Sequence, residues 1–130
     1  MMYMGSNSAT RSAGMRYTCD KLSLLNWKIT LRMQGRVDLH VMERGGVAHT
    51  IKIRTLSKEA PVPFPQGLDI LDAIDYLVIC NNLQGRPNLM VLEPETVRRS
   101  IHKDTLNEHT YWLQPRAYNE HGMTLDKAFG

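Results

Sequence analysis

"RVDLHVMERGGVAHTIKIRTLSK", residues 36–58, holds two alternating runs joined by a glycine pair. In the first, Val37, Leu39 and Val41 alternate with Asp38, His40 and Met42; in the second, Ile51 and Ile53 alternate with Lys52 and Arg54. Successive side chains of a strand point to opposite faces, so both runs predict strands, and the glycines between them predict a hairpin. Directly opposed residues share a face. A two-residue Gly45–Gly46 loop would set Leu39 against Lys52 and Asp38 against Ile53, mixing apolar and charged residues on both faces. A three-residue loop sets Leu39 against Ile51, Val37 against Ile53 and Asp38 against Lys52; shifted by one residue, it brings Asp38 to Arg54. The expectation is therefore a three-residue loop, with one apolar face buried and the other bearing Asp38, Lys52 and Arg54.

Working outward, "NWKITLR" (26–32) alternates Trp27, Ile29 and Leu31 and predicts a strand ahead of the hairpin. Residues 8–25 lack proline and space apolar residues at helical intervals, which predicts a helix that Gly14 and several Ser and Thr weaken. "KEAPVPFPQG" (58–67) has proline at 61, 63 and 65, which bars a central strand and predicts an extended loop. A short helix is expected over 68–74. "DYLVICNN" (75–82) is a near-continuous apolar run, the pattern of a strand buried on both faces, and "NLMVLEP" returns beside it. "PETVRRSIHK" (94–103) opens with Pro94 and Glu95 and closes in cations, the order that suits a helix dipole. A last short helix is expected from Leu125. This order predicts an α+β (or α/β) fold, a mixed central sheet of about five strands flanked by helices.

The chain has 130 residues, the size of one domain. Its 42% hydrophobic and 22% charged content is globular and argues against a disordered chain. Residues 1–7 are expected to form a flexible tail, and 104–130 a C-terminal extension that packs on the core or on a partner. No run approaches the roughly 20 apolar residues of a membrane span, so no membrane partner is expected. Cys19 and Cys80 have no metal-binding spacing and cannot build a disulfide framework, which suggests a reducing, cytoplasmic setting. The start, "MMYMGSNSATRSAG", lacks the apolar core of a signal peptide. A formal charge of +3 permits an anionic partner without requiring one.

The succession "LNWKITLR", "GRVDLHVMERGG", "HTIKIRTLSK", "DYLVICNNLQGRPNLMVLEPE" resembles the core of the PD-(D/E)XK nuclease superfamily, the restriction-endonuclease-like and Holliday-junction-resolvase-like proteins, over residues 8–100. The resemblance implies a site in which a strand Asp and, on the next strand, Glu, Asp or Gln followed two residues later by Lys hold a divalent cation and orient the attacking water. Asp38 matches the strand Asp. The carboxylate position falls on Lys52 and the lysine position on Arg54. Lys52 brings positive charge where a metal would sit, and Arg54 does not give up a proton near neutral pH. Asp38 is then the only metal ligand that the resemblance assigns, and no cofactor is expected; magnesium enters only if cleavage is retained. Glu43 and Glu59 are the nearby carboxylates that could substitute, and His40 could lie beside Asp38.

What remains is basic. Arg36, Lys52 and Arg54 are expected on one sheet face, with Arg98 and Arg99 on the later helix as further phosphate contacts. Tyr111, Trp112, Arg116 and Tyr118 could stack on bases or pin the C-terminal segment. Three readings follow: a nucleic-acid-binding protein with a degenerate nuclease site, a magnesium-dependent DNA endonuclease with a migrated carboxylate, and a protein-interaction module that forms a homodimer.

Overall fold

A computed structural model describes residues 2–130, with side chains from Ser8 onward. Helix α1 spans Met2–Leu24. The side chains of the expected tail, 1–7, lie outside the described residues. Strands β1 (Lys28–Gln34), β2 (Val37–Arg44) and β3 (Val47–Thr55) then form an antiparallel meander. Strand β4 (Val62–Phe64) and a single 3-10 turn (Asp69–Asp72) lead to β5 (Tyr76–Asn81) and β6 (Asn88–Leu92). Helix α2 (Pro94–Ser100), strands β7 (His102–Lys103) and β8 (Tyr111–Leu113), and helices α3 (Pro115–His121) and α4 (Leu125–Phe129) complete the chain.

The main sheet has the order β1-β2-β3-β5-β6, with β3–β5 its one parallel pair. The fold is α+β with a mixed five-stranded sheet, as the element order predicted. A second sheet, β4-β8-β7, closes over one side. The proline-rich stretch supplies its edge strand, the place where Pro63 is tolerated. Helix α2 stops at Ser100, short of the expected 103, because His102 and Lys103 pair with Trp112 and Tyr111 of β8.

Both faces of the main sheet are buried. One packs Leu22, Met42, Ile51, Ile53, Val78, Cys80 and Phe129; the other packs Leu39, Phe64, Leu77, Ile79, Leu113 and Tyr118. Strand β5 serves both layers, which is why its sequence is continuously apolar. Gly14 lets α1 lie close on β3: a Cβ there would come within 1.9 Å of Thr55 Oγ1. The C-terminal segment is tied to the core. Trp27 Nε1 donates to Phe129 O at 2.9 Å, and the buried Tyr118 hydroxyl donates to Ala60 O at 2.9 Å.

The hairpin departs from expectation. Arg44 pairs with Val47, leaving a two-residue loop in which Gly45 (φ 57°) and Gly46 (φ 82°) are both left-handed, the type I′ geometry that fits the twist of the flanking strands. The ladder runs on to His40↔Ile51. Leu39 therefore faces the layer opposite Ile51 and Ile53. The three-residue loop assumed one buried and one solvated face; with core on both sides, Leu39 and Met42 each have a buried layer of their own.

Candidate functional site

Beyond Ile51, β3 keeps its ladder with β5 while its ladder with β2 has ended. An open cleft of about 1000 Å³ lies at this end of the strands. Helix α1 contributes Arg11 to its wall, the β1–β2 turn Arg36, and the start of β2 Asp38. Strand β3 contributes Lys52 and Arg54, the chain after it Lys58, and β4 with its following loop Pro63, Phe64 and Pro65. Five cations line the cleft against two carboxylates, Asp38 and Asp69, so its field is positive.

Lys52 and Asp38 meet at its centre. Lys52 Nζ donates to Asp38 Oδ1 at 2.7 Å and to Asp38 O at 3.1 Å. Side-chain exposure is only 15% for Lys52 and 11% for Asp38, so this pair is not a solvated surface contact. Register does not oppose the two residues; the long lysine stem bridges them where the strands separate. Arg11 Nη2 approaches the same Asp38 Oδ1 at 3.4 Å. Burial pushes the Asp38 carboxyl up, but the Lys52 hydrogen bond and charge, with help from its own amide and Arg11, outweigh this and hold it below the usual carboxylate value.

Arg54 donates from Nη1 to Pro63 O at 2.8 Å, and its guanidinium carbon stands 5.6 Å from the Phe64 ring centre. Burial, then the Arg11 charge, pull its pKa down, with Asp38 opposing. A guanidinium stays charged regardless. The cleft thus crowds three cations, Arg11, Lys52 and Arg54, around one carboxylate. An anion entering it would relieve that crowding.

This donor set does not suit magnesium. A hard divalent cation takes several oxygen ligands, whereas the Asp38 carboxylate is already engaged by an ammonium and a guanidinium. Among the described residues, no three His, Cys, Asp or Glu side chains come together as a metal site. Glu59 accepts from Asn81 Nδ2 at 3.2 Å and Asn119 Nδ2 at 3.1 Å and does not line the cleft. Glu43 sits one pair from the hairpin turn, at the other end of β2.

Arg36, Lys52 and Arg54 do line one cleft, but Lys52 and Arg54 are not on an open solvated face as the alternation suggested. Arg98 and Arg99 lie elsewhere. Arg98 pairs with Asp72, and Arg99 lines a separate concavity of about 340 Å³ with His102, Arg116 and His121. Tyr118 is buried in the core and is not free to stack on a base; Trp112 is half-buried, with its Nε1 donating to Asp104 Oδ1 at 3.0 Å. His40 is buried with Nδ1 unpartnered, and His49 lies in an aromatic cluster with Trp27, Tyr76 and Phe129. Sequence reasoning missed Arg11 and Lys58. Nothing local marks Arg11 among the other polar residues of α1. Lys58 could have been flagged, since the "TLSK" step carries the chain directly off the cationic end of β3.

No family model, no curated protein and no solved structure matches this chain.

Proposed function

We propose that the protein binds nucleic acid through phosphates held in the cationic cleft, and that it is a member of the PD-(D/E)XK superfamily without metal-dependent cleavage. The observation that carries this reading is the crowding of Arg11, Lys52 and Arg54 around Asp38 inside an open cleft rimmed by Arg36 and Lys58. In the family it resembles, the corresponding strand positions gather carboxylates around a divalent cation. Here the Lys52 ammonium stands as a fixed cation beside Asp38. The site keeps a positive centre that can hold a phosphate, and its one central carboxylate is taken up by Lys52 and Arg11 in place of a divalent cation.

Binding of labelled single- and double-stranded oligonucleotides across a salt series tests this. Each phosphate contact on duplex DNA contributes about −0.9 to the log–log salt slope. Arg36 and Lys58 are both exposed. The Arg36→Ala/Lys58→Ala variant is expected to flatten the slope by about two units, weaken all sequences alike and leave the fold intact. Plasmid or branched DNA with magnesium or manganese is expected to stay uncut. Equal slopes for parent and variant, or no binding at low salt, would remove the proposal. Cleavage abolished by Asp38→Ala would replace it with an active nuclease.

A further inference from the structure

Among the described residues, strand β1 is bonded on one side to β2 and is otherwise an open edge of the main sheet. The opposite edge is covered: Val91 N–H donates to Met123 O and Met123 N–H to Val91 O, each at 2.8 Å, which caps β6. The hydrogen-bonding phase of β1 follows from its turn. The two-residue Gly35–Arg36 turn closes on the pair Gln34↔Val37. In such a hairpin the closing pair exchanges both backbone bonds, and bonded pairs alternate from there. Gln34, Arg32, Thr30 and Lys28 therefore direct their backbone groups to β2, while Met33, Leu31 and Ile29 direct theirs outward. These three also carry the apolar side chains of the strand, and Leu31 and Met33 are 57% and 55% exposed. An unpaired edge bearing exposed apolar residues is a template for another strand.

We propose that β1 pairs with β1 of a second copy, antiparallel across a two-fold axis at Leu31, joining the two main sheets into one. Strand β1 reads Lys-Ile-Thr-Leu-Arg-Met-Gln, polar and apolar in strict alternation and symmetric about its middle residue. Self-pairing there sets Leu31 against Leu31 and Ile29 against Met33 on one face. On the other it sets Arg32 against Thr30 and Lys28 against Gln34, so no cation directly opposes a cation. Centring the axis on Leu31 also uses every outward backbone group of the strand; a centre at Ile29 or Met33 leaves some unpaired. A foreign strand could add to the same edge by backbone bonds, but this side-chain symmetry matches a copy of the strand itself. The inference does not depend on what the cleft binds.

Sedimentation equilibrium over a concentration series, with circular dichroism as a folding control, tests the pairing. The parent is expected to reach twice the mass of the chain. Leu31→Lys and Leu31→Glu place like charges on the axis, and each alone is expected to be monomeric. An equimolar mixture of the two is expected to restore the dimer. Amide exchange gives a second readout on the unaltered chain: Ile29, Leu31 and Met33 should slow as concentration rises, while Thr30 and Arg32 stay slow throughout. A parent that is monomeric at every concentration, a dimer unchanged by Leu31→Lys, or charge variants that fail to pair with each other would each overturn the proposal.

Discussion

Replacing Lys52 would leave Asp38 largely buried, with Arg11 as its remaining ion-pair partner at 3.4 Å. Lys52→Met is therefore expected to cost about 3 kcal/mol in urea denaturation at pH 7, the low end for breaking a buried pair, because Arg11 still offsets part of the charge. Asp38→Leu combined with Lys52→Met should cost less than the sum of the two single changes, and a double-mutant cycle measures that coupling. The Asp38 carboxyl titrates lower in the fold than in the unfolded chain, so its stabilisation is complete above its ordinary value near 3.8 and is lost as pH falls through the folded value. His40 acts at higher pH. Burial pulls its pKa below the ordinary 6.5; Asp38 opposes that shift and Lys52 adds to it. The unfolded chain then binds the extra proton, and stability falls as pH drops below about 6.5. His40→Leu removes the buried, unpartnered Nδ1 along with that proton site. It is expected to flatten the stability profile between neutrality and pH 5 without loss at pH 7; a profile matching the parent's would refute this. The sequence offered Asp38 a cation partner, Lys52 or Arg54, on one shared face through a three-residue loop; the pair with Lys52 forms, but across the end of the ladder and not by that register. The burial of the pair was not legible, because a local alternation does not reveal that β4 and its loop fold back over the strand end.

At the hairpin, Gly46 has φ 82° and Gly45 φ 57°. Gly46→Ala is expected to lower stability by about 1–2 kcal/mol, the cost of a left-handed non-glycine residue. Gly45→Asn should be nearly neutral, since asparagine is favoured at the first central position of this turn. Urea midpoints of the two variants check the difference; equal losses would argue against the type I′ assignment. The strands themselves could be read from their period of two, but their pairing could not. A hydrophobic pattern fixes register where one face is buried and the other wet. In β2, Leu39 and Met42 serve different layers, so a one-residue slip moves apolar side chains from one core to another and the pattern alone cannot choose between registers. The turn geometry decides. Strand β5 had no such ambiguity, because a run buried on both faces needs no choice of side.

Over the whole molecule, the +3 charge is modest, but the cleft concentrates five cations against two carboxylates. A multivalent anion that binds there stabilises the folded chain by mass action. Phosphate or sulfate is thus expected to raise the melting temperature above that in chloride of equal ionic strength, and by less in Arg36→Ala/Lys58→Ala. An equal rise in both proteins would mean only the general salting effect of these anions. The crossover between the parallel strands β3 and β5 has a kinetic consequence. Strands β1 to β3 are joined by two tight turns, so their contacts are local and form early. The cleft wall instead rests on β4, whose partner is β8, with Val62 opposite Leu113 far along the chain. A chain emerging from the ribosome completes the cationic strand end and β4 well before it makes β8, the strand that β4 pairs with. In refolding, sheet signal should therefore precede the ability to hold an anion, and the cleft should be the last part of the molecule to mature.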